Sequence, residues 1–91
     1  MTDAERLRSR EGMLTSLRRS IDLAEDMREE LPIVEGKAGH NLVDAAREFL
    51  DAGEWHLSYG YLIHLAAAYP PFAALFENER HPIERHFQKY M

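Results

Sequence analysis

Apolar residues recur at helical spacings over most of this chain, and the breaks between them divide it into elements. Leu7, Leu14, Leu17, Ile21, Ala24 and Leu31 follow one another at intervals of three, four and seven, which is one face of a long helix over about residues 3–30. Thr2-Asp3-Ala4-Glu5 has the Thr-to-Glu spacing of a capping box at its start, and Pro32 is placed to end it. Gly12 costs such a helix about 1 kcal/mol relative to Ala, so its first turns are expected to fray or bend. Residues 32–40 hold a proline, two glycines and no period; they read as a loop or a brief irregular extension, with no strand expected. Asn41 is a good N-cap, and Leu42, Ala45, Ala46, Phe49 and Leu50 then mark the face of a second helix ending at Ala52. Gly53 supplies the left-handed residue after it, and Glu54 places a carboxylate at the positive end of a third helix, Glu54 to Tyr69.

The third helix departs from the amphipathic pattern. From Trp55 to Phe76 the chain has no Asp, Glu, Lys or Arg. Trp55, Tyr59, Leu62 and Ala66 fall on one face and Leu57, Tyr61, Leu65 and Ala68 on another, so apolar surface wraps most of the cylinder and predicts a central, covered helix. Pro70-Pro71 interrupts the run, leaving about a dozen mainly apolar residues, which favours a buried soluble helix over a membrane span. Gly60 is either a point of close approach for a neighbouring helix or merely tolerated. Beyond it, Phe72 to Phe76 fit a short helical turn, and Pro82 stands at the first position of a last helix carrying Ile83, His86, Phe87 and Tyr90. The expected fold is all-α: a single domain over residues 1–91, built as a compact bundle of four to five helices.

Composition narrows the function. A chain of 91 residues has room for one core, and the absence of cysteine excludes disulfides and thiolate metal sites. The charged start, Met1 to Arg6, lacks the apolar stretch of a secretory signal, so a cytoplasmic location is expected. The net charge of −5 is unevenly spread. Residues 1–20 carry five Arg against three acids, residues 21–54 carry ten acids against three bases, and residues 55–91 carry three of each. The acidic middle argues against nucleic acid and for a basic protein partner.

Candidate chemistry is sparse. His81, Glu84 and His86 sit near one another in sequence, with Glu77 four residues before His81, but no spacing matches a metal motif. A small metal-dependent enzyme on that trio is therefore a remote alternative, and no cofactor is expected. His56 and His64 are expected as neutral, hydrogen-bonded imidazoles inside the uncharged block. No serine stands in a nucleophile elbow and no glycine-rich phosphate loop occurs, so the chain does not read as an enzyme. The carboxylates are more suggestive. Asp44, Glu48 and Asp51 fall at i, i+4 and i+7 on the second helix, and Asp22, Asp26 and Glu29 repeat that spacing on the first. Such stripes serve either as a solvated surface or as a docking face for a basic protein, since like charges at helical neighbours are mildly destabilising. Tyr61, on the side of helix three away from Trp55, is a candidate interface anchor. Leu7, Leu14 and Ile21 at strict sevens admit a coiled-coil partner, so a homodimer is a second option.

The segment Asp44-Ala45-Ala46-Arg47-Glu48-Phe49-Leu50-Asp51-Ala52-Gly53-Glu54-Trp55, continued by Tyr61-Leu62-Ile63, resembles the small all-helical immunity proteins of bacterial polymorphic-toxin and contact-dependent inhibition systems, including the Maf-type group. The resemblance covers about a third of the chain. It implies a cytoplasmic protein that binds and neutralises a cognate toxin's catalytic domain; many such toxins are nucleases with a basic substrate groove. The expected contact residues are Asp22, Asp26, Glu29, Asp44, Glu48, Asp51 and Tyr61.

Overall fold

The computed structural model describes residues 3–90, so the proposed cap at Thr2 lies outside the described residues. Helix α1 (Asp3–Asp26) is followed by a 3-10 turn (Arg28–Glu30), strands β1 (Ile33–Val34) and β2 (Lys37–Ala38), and helices α2 (Gly39–Asp51), α3 (Trp55–Ala68) and α4 (Pro70–Tyr90). The fold is an all-α bundle of four helices, 43 × 25 × 19 Å in extent. Among the described residues no helix is long and apolar enough to cross a membrane.

Helix α1 packs chiefly on α4 and α2 chiefly on α3. The first pair is antiparallel, since Ser9 meets His86 and Arg19 meets Glu79. Phe72, Phe76, Glu79, Ile83 and His86 form the buried row of α4, alternating intervals of four and three as in a coiled-coil seam. Facing it, α1 buries Met13, Ser16, Leu17, Ser20, Ile21 and Ala24. The stripe read from the leucines is thus out of phase at its start. Leu7 remains 53% exposed and Leu14 half-buried, because two small serines occupy core positions that a count of apolar residues passes over. Ser20 hides its polarity by donating to the Ser16 carbonyl at 2.7 Å.

The joints differ most from expectation. The first helix closes at Asp26, ahead of Pro32, and the segment thought devoid of strand forms a two-residue antiparallel hairpin, Ile33 opposite Ala38 and Val34 opposite Lys37. Its turn places Glu35 (φ 51°) and Gly36 (φ 81°) in the left-handed region, which matches the twist of a two-residue hairpin. Helix α2 then begins at Gly39 rather than after Asn41. A Cβ on Gly39 would lie 2.6 Å from both the Leu31 Cβ and the Pro32 carbonyl oxygen, so only glycine lets the helix start against that corner. The turn after α2 is as expected. Glu54 N–H donates to the Phe49 carbonyl and Gly53 N–H to the Leu50 carbonyl, a Schellman closure with Gly53 at φ 79°.

The break expected near Pro82 does not occur, and α4 runs unbroken from Pro70. Pro70 and Pro71 occupy its first two positions, where the missing amides have no helical acceptor, and Tyr69 before them is extended. Pro82 lies inside the helix and deprives the Asn78 carbonyl of its donor. Burial of Phe76, Glu79, Ile83 and His86 on both sides of that gap holds the two halves to one axis.

Candidate partner-binding site

Asp22 and Asp26 lie on α1 and Asp44, Glu48 and Asp51 on α2, whereas Glu29, expected on the first helix, falls in the 3-10 turn beyond its end; two arginines tie the groups together. Arg28 makes a bidentate contact with Asp44, at 2.8 and 3.0 Å, and also reaches Glu25 at 3.0 Å. Arg47 on α2 pairs with Asp22 on α1 at 3.3 Å. Asp22 and Asp44 therefore hold the α1–α2 seam as well as colouring its surface. The Arg28 guanidinium holds the Asp44 carboxyl below the usual carboxylate range, first through these hydrogen bonds and then through its charge. Asp26, Glu29, Glu48 and Asp51 are exposed and form no ion pair with another described residue. The seam thus presents a surplus of carboxylate that its own cations leave uncompensated.

On the opposite flank of α2 lies Tyr61. It is half-buried and stacks on Phe49, with ring centroids 5.6 Å apart and planes 12° from parallel. Tyr61 lines a cleft of about 330 Å³ together with Val34, Leu42, Leu57, Gly60 and His64, closed on the hairpin side by Glu35 and Lys37. Space around Gly60 is open, so this glycine makes room in the cleft and brings no helix closer. The uncharged helix is also less covered than its sequence implies. Only Ser58, Leu62 and Leu65 of α3 are buried; His56, Leu57, His64, Ala67 and Ala68 are exposed. His64 faces Glu35 at 3.5 Å, and the His56 ring lies 4.0 Å from that of Phe87. Both imidazoles are surface groups rather than core ones.

A second cluster, between α3 and α4, serves the packing. Tyr59 donates to Glu84, which also accepts from Arg80 at 2.8 Å, and Arg80 Nε donates to the Tyr59 oxygen at 3.2 Å. Burial, followed by the bond to Glu84, pushes the Tyr59 hydroxyl up, while that bond and the Arg80 guanidinium hold Glu84 down. His86 turns away from this cluster, its Nδ1 2.9 Å from Ser9 Oγ on α1. His81, Glu84 and His86 consequently do not converge, and no group of three His, Asp or Glu among the described residues is arranged to hold a metal ion.

Sequence reasoning found the carboxylates because each stripe has a period within one helix. It missed their cationic clips, which depend on which helices become neighbours, and it missed the cleft, whose wall is a hairpin too short for any alternation. The face Leu57, Gly60, His64 at i, i+3 and i+7 was the available signal for the cleft. No family model matches this chain, and no curated protein or solved structure matches it.

Proposed function

We propose that this chain is a non-catalytic protein-binding domain that captures a basic protein on the α1–α2 face, and that it acts as an immunity protein neutralising a bacterial toxin. The observation that carries the reading is the surplus of carboxylate on α1, the 3-10 turn and α2: Asp26, Glu29, Glu48 and Asp51 form no ion pair with another described residue and stand beside the Arg28–Asp44 and Arg47–Asp22 pairs. An acidic face steers a basic partner and suppresses wrong ones. Tyr61, stacked on Phe49 in the cleft on the other flank of α2, joins this contact only where the partner also wraps around α2. The local resemblance to toxin-immunity proteins makes the basic groove of a toxin catalytic domain the specific target.

The test takes as partner the catalytic domain of any toxin encoded next to this gene. The triple reversal Asp26→Lys, Glu48→Lys and Asp51→Lys leaves both clips intact and is expected to slow association by at least about tenfold at low salt, with little change in dissociation. An association rate and salt dependence equal to those of the wild type would remove the acidic face from the mechanism.

A further inference from the structure

Of the chain's eleven lysines and arginines, four arginines are paired and seven form no ion pair with another described residue. Every arginine from Arg19 to Arg80 has a carboxylate partner: Arg19 with Glu79, Arg28 with Glu25 and Asp44, Arg47 with Asp22, and Arg80 with Glu77 and Glu84. Arg8, Arg85 and Lys89 form no ion pair with another described residue, although the chain carries a surplus of acid. All three line one groove of about 430 Å³ between the first half of α1 and the last half of α4, at the opposite end of α1 from the acidic seam.

Helical spacing explains why they meet. His81, Arg85 and Lys89 follow at intervals of four along α4, and Arg8 and Gly12 repeat that interval along α1, so two rows face each other across the groove. Arg85 and Lys89 are like charges one turn apart, an arrangement that weakens a helix unless an anion lies between. Gly12 leaves the groove open, since a Cβ there would meet no atom within 4 Å. Pro82 and the Tyr90 ring supply apolar wall, and Glu5 is the groove's one carboxylate among the described residues.

We infer that this groove binds a small phosphate ester of nucleotide size, its phosphate held by Arg8, Arg85 and Lys89 and its ring set against Pro82 and Tyr90. Guanidinium forks match phosphate oxygens, and the volume is that of a small-molecule site, about 300–1,000 Å³. The site is separate from the acidic face, so either can fail without the other.

The experiment is calorimetric titration of the full chain with AMP in phosphate-free, low-salt buffer. Saturable one-to-one binding is expected, weakened at least about tenfold by Arg8→Glu or Arg85→Glu, the loss of one charge-assisted contact. Gly12→Leu, which fills open space on a helix with a good helix former, is expected to abolish binding while keeping the thermal transition. Absence of saturable binding at millimolar AMP overturns the inference. So does affinity unchanged in both charge variants, or an oligonucleotide that binds more tightly than AMP and is indifferent to Gly12→Leu.

Discussion

His86 is the titratable side chain whose charge state is decided by packing. It is 3% exposed, bonded to Ser9 across the α1–α4 seam, and flanked by Phe87 and Tyr90 on its own helix. Burial first, then the charges of Arg10 and Arg6 on α1, push its imidazole below the ordinary value of 6.5. The folded protein therefore binds this proton less readily than the unfolded chain does. The stability that follows is fully present above pH 6.5, declines as pH falls below it, and stops declining once the folded-state imidazole is itself protonated. Urea midpoints are expected to fall between pH 7 and pH 5, and His86→Gln is expected to flatten the profile over that interval. Asp44 and Glu84, both held below the usual carboxylate range, contribute a separate loss at lower pH, from about 4.5 downward. A wild-type midpoint that stays level from pH 7 to 5 would show that the imidazole titrates as if in water.

Helix α4 keeps a feature that works against it. Pro82 removes one hydrogen bond from the interior of a 21-residue helix, and the neighbouring seam residues, not local propensity, keep the axis continuous. Pro82→Ala restores the donor for the Asn78 carbonyl and is expected to raise unfolding free energy by about 1–3 kcal/mol, measured by denaturant titration. An unchanged midpoint would mean that the helix has already relaxed around the ring. The same proline shows why element boundaries were only partly legible in the sequence. A proline followed by an apolar period reads equally as the start of a helix or as its interior, and the choice rests on Phe72 and Phe76 belonging to the same row as Ile83 and His86, a relation completed only when α1 lies against them. Helix α2 and the Gly53 turn were readable because their signals are local: one apolar stripe and one residue with positive φ. Gly39 was not, since its reason is the Leu31–Pro32 corner beside it. The acidic positions were legible one helix at a time, whereas the clips that make Asp22 and Asp44 structural required the fold.

Across the whole molecule, exposed carboxylates gather around the α1–α2 seam, while Arg8, Arg85 and Lys89 line a groove at the other end of α1. At the seam the clips are exposed contacts, which contribute little, while Asp26, Glu29, Glu48 and Asp51 repel one another and outnumber the nearby Arg28 and Arg47, whose guanidiniums are engaged by Glu25, Asp44 and Asp22. Repulsion acts over the screening length, about 30 Å at 0.01 M salt and about 8 Å at 0.15 M, so low salt exposes it and moderate salt suppresses it. Direct contacts such as Arg28–Asp44 act at shorter range and are screened less. The melting temperature is therefore expected to rise as NaCl is raised from 10 to 150 mM, by a few degrees, since about 1 kcal/mol moves a domain of this size by roughly 4–8 °C. Reversal of Asp26, Glu48 and Asp51 to Lys is expected to raise the low-salt melting temperature and to abolish its salt dependence. A melting temperature that falls with salt would mean that attraction at the clips outweighs repulsion between the stripes. The two measurements on this variant then bear on each other: a protein that becomes more stable while losing association with a basic partner retains those carboxylates for binding, because the fold alone would be better off without them.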